Sequence, residues 1–188
     1  MNLRKFFTLF LSTALIGVLL GLITTLTGWF GEIRLVWGMI TGGFLSATTL
    51  MGFWAYLTLN FTMRNFISFR FWVTIQVLLI ALVLFDLVYF RYLWTGQGEG
   101  SLLPFIGYAV WPLLVAAVVS YFKGRISGMR SFIPSMFFLY CFTALEWFLA
   151  LKSGEVLQMT QIGIILLGCN VYLLLMYTRL LKQPSPTR

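Results

Sequence analysis

Asp86 and Glu146 are the two acidic residues that lie inside long apolar stretches, and they are the first candidates for chemistry. Paired carboxylates can serve as general acid and base in hydrolysis, but the sequence supplies no recognisable nucleophile beside them. The chain contains no histidine, and its two cysteines, Cys141 and Cys169, are isolated within apolar segments. We therefore expect no catalytic residue, no metal site and no cofactor.

The two carboxylates instead predict a polar cluster. A charged side chain in the middle of a membrane costs about 2.5–3.5 kcal/mol on insertion scales, so it normally faces a partner or water. Arg34 and Arg91 are the candidate partners of Asp86 and Glu146. Asp86 and Arg91 are five residues apart and align poorly on one helix, which favours a pair across helices. The cluster has three interpretations: a structural pair that fixes helix register, a pocket that senses a signal or ligand, and a proton path.

The elements that must hold this cluster are membrane helices. The chain has 188 residues, of which 60% are hydrophobic and 10% charged, whereas globular proteins average about 25% charged residues. Apolar runs of about 20 residues are typical of transmembrane helices. The sequence predicts an all-α integral membrane protein, a six-transmembrane-helix bundle in one domain over residues 1–181, followed by a short tail at 182–188. The spans are predicted at 6–26, 35–59, 71–90, 102–122, 132–151 and 161–181.

The distribution of basic residues predicts the orientation of the bundle. One side collects ten of the thirteen basic residues: Arg4, Lys5, Arg64, Arg70, Lys123, Arg125, Arg130, Arg179, Lys182 and Arg188. The other side has Arg34, Arg91 and Lys152. Cytoplasmic loops carry the excess of lysine and arginine, so both termini are expected in the cytoplasm. The net charge of +8 is spread over short loops, which indicates contact with the lipid bilayer, not nucleic acid. A docking surface for a partner is the alternative.

A run of small residues from 38 to 52 marks the second helix as the most closely packed one. Small side chains four residues apart line one helix face and let a neighbouring backbone come close. The predicted packing residues are Gly17, Gly21, Gly38, Gly42 and Ser46. They either pack the first two helices together or serve a dimer or a partner helix. Elsewhere, Gln76 and Asn170 are expected to form hydrogen bonds across helices.

Two segments resemble a known family. Met51–Asn60 and Gln76–Tyr92, the second of which contains Phe85, Asp86 and Arg91, are similar to the KinB-signalling pathway activation proteins (KbaA) of spore-forming bacilli. The resemblance implies a six-span regulator in the bacterial cell membrane that promotes the activity of the sporulation histidine kinase KinB and so feeds a phosphorelay. It implies no catalytic residues.

Two other classes remain open at the level of sequence. A small transporter or channel could use the intramembrane acids, although the sequence shows no repeated halves and no matched pair of broken helices. A membrane enzyme is disfavoured because no nucleophile and base occur together. We therefore expect a non-enzymatic membrane regulator with a sensor histidine kinase as its partner.

Overall fold

The structure is a computed structural model that describes residues 3–27, 35–95, 101–150 and 156–181. The description of these ranges excludes the side chains of residues 91, 94–95, 104, 149–150, 156–159 and 181. All regular secondary structure in the described ranges is helical. The α-helices are α1 (Leu3–Leu26), α2 (Leu35–Phe66), α3 (Phe69–Thr95), α4 (Leu103–Ser127), α5 (Phe132–Phe137), α6 (Thr143–Ala150) and α7 (Val156–Leu181).

Six helical segments of the described chain are long and apolar enough to cross a membrane. They are Leu3–Leu26, Leu35–Phe66, Phe69–Phe90, Phe105–Ser127, Met129–Phe148 and Thr160–Leu180. This confirms the predicted all-helical class and the six apolar spans. The segment predicted as one helix over 132–151 differs, because a π-helix over Phe138–Phe142 separates α5 from α6. Apolar composition predicts burial in lipid but does not encode the hydrogen-bond register of the backbone, so the π-helix left no signal.

Helix α2 is longer than the apolar run that predicted it. It continues to Phe66, whereas the span was predicted to end at residue 59. Its 32 residues extend about 48 Å at about 1.5 Å per residue, which exceeds a hydrocarbon core of about 30 Å. The additional residues include Asn60, Arg64 and Asn65, which are compatible with a helix outside an apolar core. Loss of apolarity marks the edge of a membrane span and not the end of a helix.

The described chain separates into two compact units. The first comprises Met1–Trp54 and Glu146–Arg188, and the second comprises Ala55–Leu145. The prediction of a single domain over 1–181 stays a prediction.

In the first unit, α1 and α2 touch through glycines. A Cβ atom added at Gly17 would collide with the carbonyl oxygen of Gly42, and one added at Gly21 would collide with that of Gly38. Gly17 also faces Ser46, whose Oγ would lie 3.1 Å from the added Cβ. Backbones approach this closely only where side chains are absent. The two helices are therefore antiparallel, and a crossing of small residues fixes their register.

Helix α7 packs against α1 in the same unit. A Cβ atom added at Gly168 would lie 2.7 Å from Leu20 Cδ1. Gln161 Nε2 donates a hydrogen bond to Thr24 Oγ1 at 3.0 Å, and Lys5 Nζ donates one to the carbonyl oxygen of Leu180 at 2.9 Å. These three contacts lie along the whole length of the pair and make α7 antiparallel to α1.

The second unit is held by contacts between neighbouring helices. Trp72 Nε1 on α3 donates a hydrogen bond to Asn60 Oδ1 on α2 at 2.9 Å. Lys123 Nζ on α4 donates one to Ser135 Oγ on α5 at 2.8 Å. Gly128 lies in the turn between these two helices and has a φ of +96°. Residues with a side chain rarely adopt such a positive φ.

Aromatic rings fill the interior of the second unit. Tyr56 contacts Phe138 with ring centroids 4.9 Å apart, and its hydroxyl donates a hydrogen bond to the carbonyl oxygen of Pro134 at 3.0 Å. Trp72 meets Phe137 edge to face at 6.1 Å. Tyr140, in the π-helix, donates from its hydroxyl to a backbone carbonyl oxygen of α4 at 3.1 Å. The hydroxyls of Tyr56 and Tyr140 thus each have an acceptor, as buried tyrosine hydroxyls usually do.

Candidate functional site

Glu146 is the buried carboxylate of the first unit. It lies in the first turn of α6 with 9% of its surface exposed. Its Oε2 accepts a hydrogen bond from Asn170 Nδ2 on α7 at 3.0 Å. No described residue donates a hydrogen bond to its Oε1, and no described lysine or arginine forms an ion pair with it. A buried carboxylate is ordinarily paired with a cation or with several donors. Glu146 is therefore an incompletely paired acid, able to take up a proton or accept another donor.

A glycine on α7 brings Glu146 within reach of Asn170. A Cβ atom added at Gly163 would lie 2.9 Å from Trp147 Cε2, so the indole of Trp147 rests directly on the backbone of α7. Trp147 is 2% exposed and follows Glu146 in the chain. Gly163 and Asn170 are seven residues apart, which places them on one helix face. The close approach at Gly163 thus positions α6 so that the carboxylate meets the Asn170 amide.

The four residues of the predicted polar cluster fall in different parts of the chain. Asp86 is half-buried on α3 in the second unit, and no described residue forms a hydrogen bond or ion pair with it. Glu146 belongs to the first unit. Arg34 lies outside the described residues, and Arg91 belongs to α3 but its side chain is outside the description. The proposed pairing of the acids with these arginines stays a prediction.

The predicted packing residues lie at the contact between α1 and α2. All five predicted residues are buried: Gly17, Gly21, Gly38, Gly42 and Ser46. Gly17 lies opposite Gly42, and Gly21 lies opposite Gly38. Each added Cβ atom would meet backbone or Ser46, not a flexible side-chain end, except at Gly38, where Thr25 Oγ1 is also close. Within the first unit these residues are used inside the chain and do not form an open face.

Two hydrogen-bonded contacts were not predicted as pairs. Asn170 was expected to bond across helices, but Glu146 was not recognised as its partner. Gln161 bonds to Thr24 and also to Thr25 Oγ1 at 3.3 Å. The feature of the sequence that could have indicated these pairs is the scarcity of polar side chains in the spans, because polar residues on adjacent membrane helices tend to form hydrogen bonds with each other.

The hydrogen bond expected from Gln76 to another helix is not observed among the described residues. Gln76 is fully buried on α3, but no described residue forms a hydrogen bond with its Oε1 or Nε2. The expected bond across helices is therefore not formed in this structure. Its amide, like the buried Ser120 hydroxyl on α4, carries hydrogen-bonding capacity that the described second unit does not use.

The two cysteines are free and buried, Cys141 in the second unit and Cys169 in the first. Among the described residues no group of three His, Cys, Asp or Glu side chains lies close enough to hold a metal ion.

Comparison with known proteins identifies the family. A family described as KinB-signalling pathway activation in sporulation (KbaA) matches residues 5–180. The chain belongs to the KbaA family. A relative from Bacillus subtilis (strain 168), the KinB-signaling pathway activation protein, is 32% identical over 143 residues, which cover 76% of this chain and 72% of the relative. No solved structure is similar to the chain. The match of this KbaA-family protein spans all six apolar helices, including Asp86, Glu146 and Asn170.

Proposed function

We propose that this KbaA-family protein is a non-enzymatic, multi-pass regulator of the bacterial cell membrane that promotes signalling through a KinB-type sensor histidine kinase. The observation that carries the proposal is the family match over residues 5–180, which includes all six apolar helices and the connections between them. The family's description therefore applies to the part of the chain that contains these helices. The name of the Bacillus subtilis relative supports the same role.

Both termini are placed in the cytoplasm in this proposal. The support is the excess of basic residues on one side of the six apolar spans, since cytoplasmic loops are enriched in lysine and arginine. Glu146 and Asn170 then lie inside the membrane, where an incompletely paired carboxylate is costly and is usually functional. We assign the Glu146–Asn170 pair the role of a polar contact within the regulator. The second carboxylate oxygen of Glu146, Oε1, is buried and accepts no hydrogen bond from a described residue.

The kinase is the expected partner, reached within the membrane. Two residues, Ile67 and Ser68, separate α2 from α3. Many large apolar side chains are exposed on the described helices. Exposed apolar side chains are normal where lipid is the solvent, and they also provide a surface for another membrane helix.

A genetic experiment tests the function. A Bacillus subtilis strain that lacks the relative is complemented with this chain, in the presence and absence of the kinase KinB. The proposal expects restored sporulation signalling only when the kinase is present. Equal restoration without the kinase would contradict a role in this pathway, and a catalytically inactive kinase serves as the matched control.

A small transporter or channel is the second candidate, and the observation that favours it is that the buried Oε1 of Glu146 accepts no hydrogen bond from a described residue. A carboxylate that gains and loses a proton inside an apolar bundle can couple proton movement to transport. Purified protein in liposomes that contain a pH-sensitive dye separates the two functions. Proton flux that Glu146→Gln abolishes would favour transport, whereas no flux beside active signalling favours the regulator.

A further inference from the structure

An apolar groove lies between α1 and α2 in the first unit. Phe6, Phe7 and Phe10 line it on α1, and the stretch of α2 from Ala47 to Trp54 lines it on the other side. Its volume is about 460 Å³. The contact at Gly17 and Gly42 lies two to three turns further along, so the groove occupies the end of the helix pair at which α1 begins.

The side chains explain why the helices leave a groove here. At the glycine crossing the two backbones touch, but toward the beginning of α1 the facing residues become large. The rings of Phe6 and Trp54, both lining residues, meet with centroids 5.7 Å apart. Ala47, between the crossing and Trp54, contributes almost no side chain. The groove therefore lies between the close contact of Gly17 with Gly42 and the aromatic contact of Phe6 with Trp54.

The chemistry of the lining selects an apolar chain as occupant. All the lining residues are apolar or aromatic, so they provide little to recognise a polar partner. Transmembrane helices associate through tracks of small residues, and the bulky rings of Phe6, Phe7 and Phe10 do not form such a track. A helix is also about 10 Å across with its side chains, whereas a single flexible hydrocarbon chain can follow a narrow groove.

The positive charge that favours an anionic head group is that of Arg4, one helical turn before the lining residue Phe7. Arg4 precedes Phe7 by three residues, which places it on the same face of α1, and its side chain is exposed. No described residue forms an ion pair with Arg4. Lys5 differs, because its Nζ is held by the carbonyl oxygen of Leu180. In the proposed orientation Arg4 lies at the cytoplasmic surface, where anionic lipids are found.

We propose that this groove binds one acyl chain of an anionic phospholipid, with Arg4 contacting its phosphate. The proposal rests on the membrane location and orientation proposed above, but not on the kinase. It adds a lipid site at which Phe7, Phe10 and Ala47 hold the chain and Arg4 provides head-group preference.

Native mass spectrometry of the purified protein, released from detergent with added lipid and without any kinase, tests the site. Phosphatidylglycerol should bind about fivefold more tightly than phosphatidylcholine, the preference expected of one basic residue near the surface. Arg4→Gln should make the two lipids bind equally. Arg70→Gln, an exposed arginine on α3, is the matched control and should retain the preference.

Filling the groove separates chain binding from head-group binding. Ala47→Phe should reduce the retention of both lipids, whereas Ala81→Phe at an exposed position of α3 should not. Equal binding of the two lipids to the unaltered protein would overturn the proposal, as would normal lipid retention by Ala47→Phe. If Ala47→Phe kept its lipid but lost association with the kinase, the groove would be a helix-docking site and the lipid proposal would be wrong. Failure of the signalling function alone would leave these binding results unchanged.

Discussion

Asn170 donates a hydrogen bond to Glu146 across 3.0 Å, and this contact joins α7 to α6 inside an apolar bundle. The amide is neutral, so it satisfies one oxygen of the carboxylate without balancing its charge. Removing the carboxylate and removing only its charge should therefore have different consequences.

Glu146→Gln should preserve folding, because glutamine keeps a carbonyl oxygen that accepts from Asn170. Glu146→Leu removes the acceptor and should lower stability by about 1 kcal/mol, near the range measured for hydrogen bonds between membrane helices. Thermal unfolding in detergent measures both. A Glu146→Leu protein as stable as Glu146→Gln would show that the hydrogen bond contributes nothing to the fold.

A second prediction concerns the close contact between the Trp147 ring and Gly163. Gly163→Ala should destabilise the protein, because the new methyl group would lie 2.9 Å from Trp147 Cε2, and it should also separate Glu146 from Asn170. Gly107→Ala is the matched control, since nothing lies within 4 Å of its added Cβ. Alanine is favoured over glycine in a helix by about 0.8–1.0 kcal/mol, so the control should be neutral or more stable. Opposite behaviour of the two variants would contradict the packing described for α6 and α7.

Neighbouring glycines of α2 provide a matched pair for the crossing with α1. A Cβ atom at Gly42 would collide with the carbonyl oxygen of Gly17, whereas one at Gly43 would make an ordinary contact of 3.5 Å with Val18. Gly42→Ala should therefore reduce accumulation and thermal stability in detergent, and Gly43→Ala should not. Equal tolerance of both changes would remove the structural importance assigned to the glycine crossing.

The sequence predicted the closely packed glycine face of α2 but neither the Glu146–Asn170 pair nor the π-helix, and the difference has a physical reason. The spacing of Gly38 and Gly42 is a local pattern on one helix, so it indicates the face at which a neighbouring backbone comes close. The pairing of Glu146 with Asn170 depends on how two helices are rotated and shifted against each other, which neither segment encodes alone. The π-helix at Phe138–Phe142 was not predictable either, because hydrophobic periodicity does not specify the hydrogen-bond register of the backbone.

Substitution of Asp86, the other acid within an apolar span, tests whether its charge acts in signalling. Asp86→Asn keeps the size of the side chain and removes its charge, so a role in packing alone predicts no loss. We expect the variant to accumulate normally and to fail in promoting kinase-dependent sporulation signalling. The variant is compared with Arg34→Gln and with the double mutant, because a charge pair gives non-additive losses. Normal signalling at normal abundance would exclude a signalling role for the charge, and loss of the protein itself would indicate a structural one.

Reconstitution of the purified protein with a KinB-type kinase in liposomes tests the central claim most directly. The measured quantity is the rate of kinase autophosphorylation with radiolabelled ATP, with and without this KbaA-family protein at matched lipid composition. We expect a higher rate when the protein is present, and a smaller increase with the Gly42→Ala variant. An unchanged autophosphorylation rate, with both proteins inserted in the same liposomes, would contradict direct promotion of the kinase.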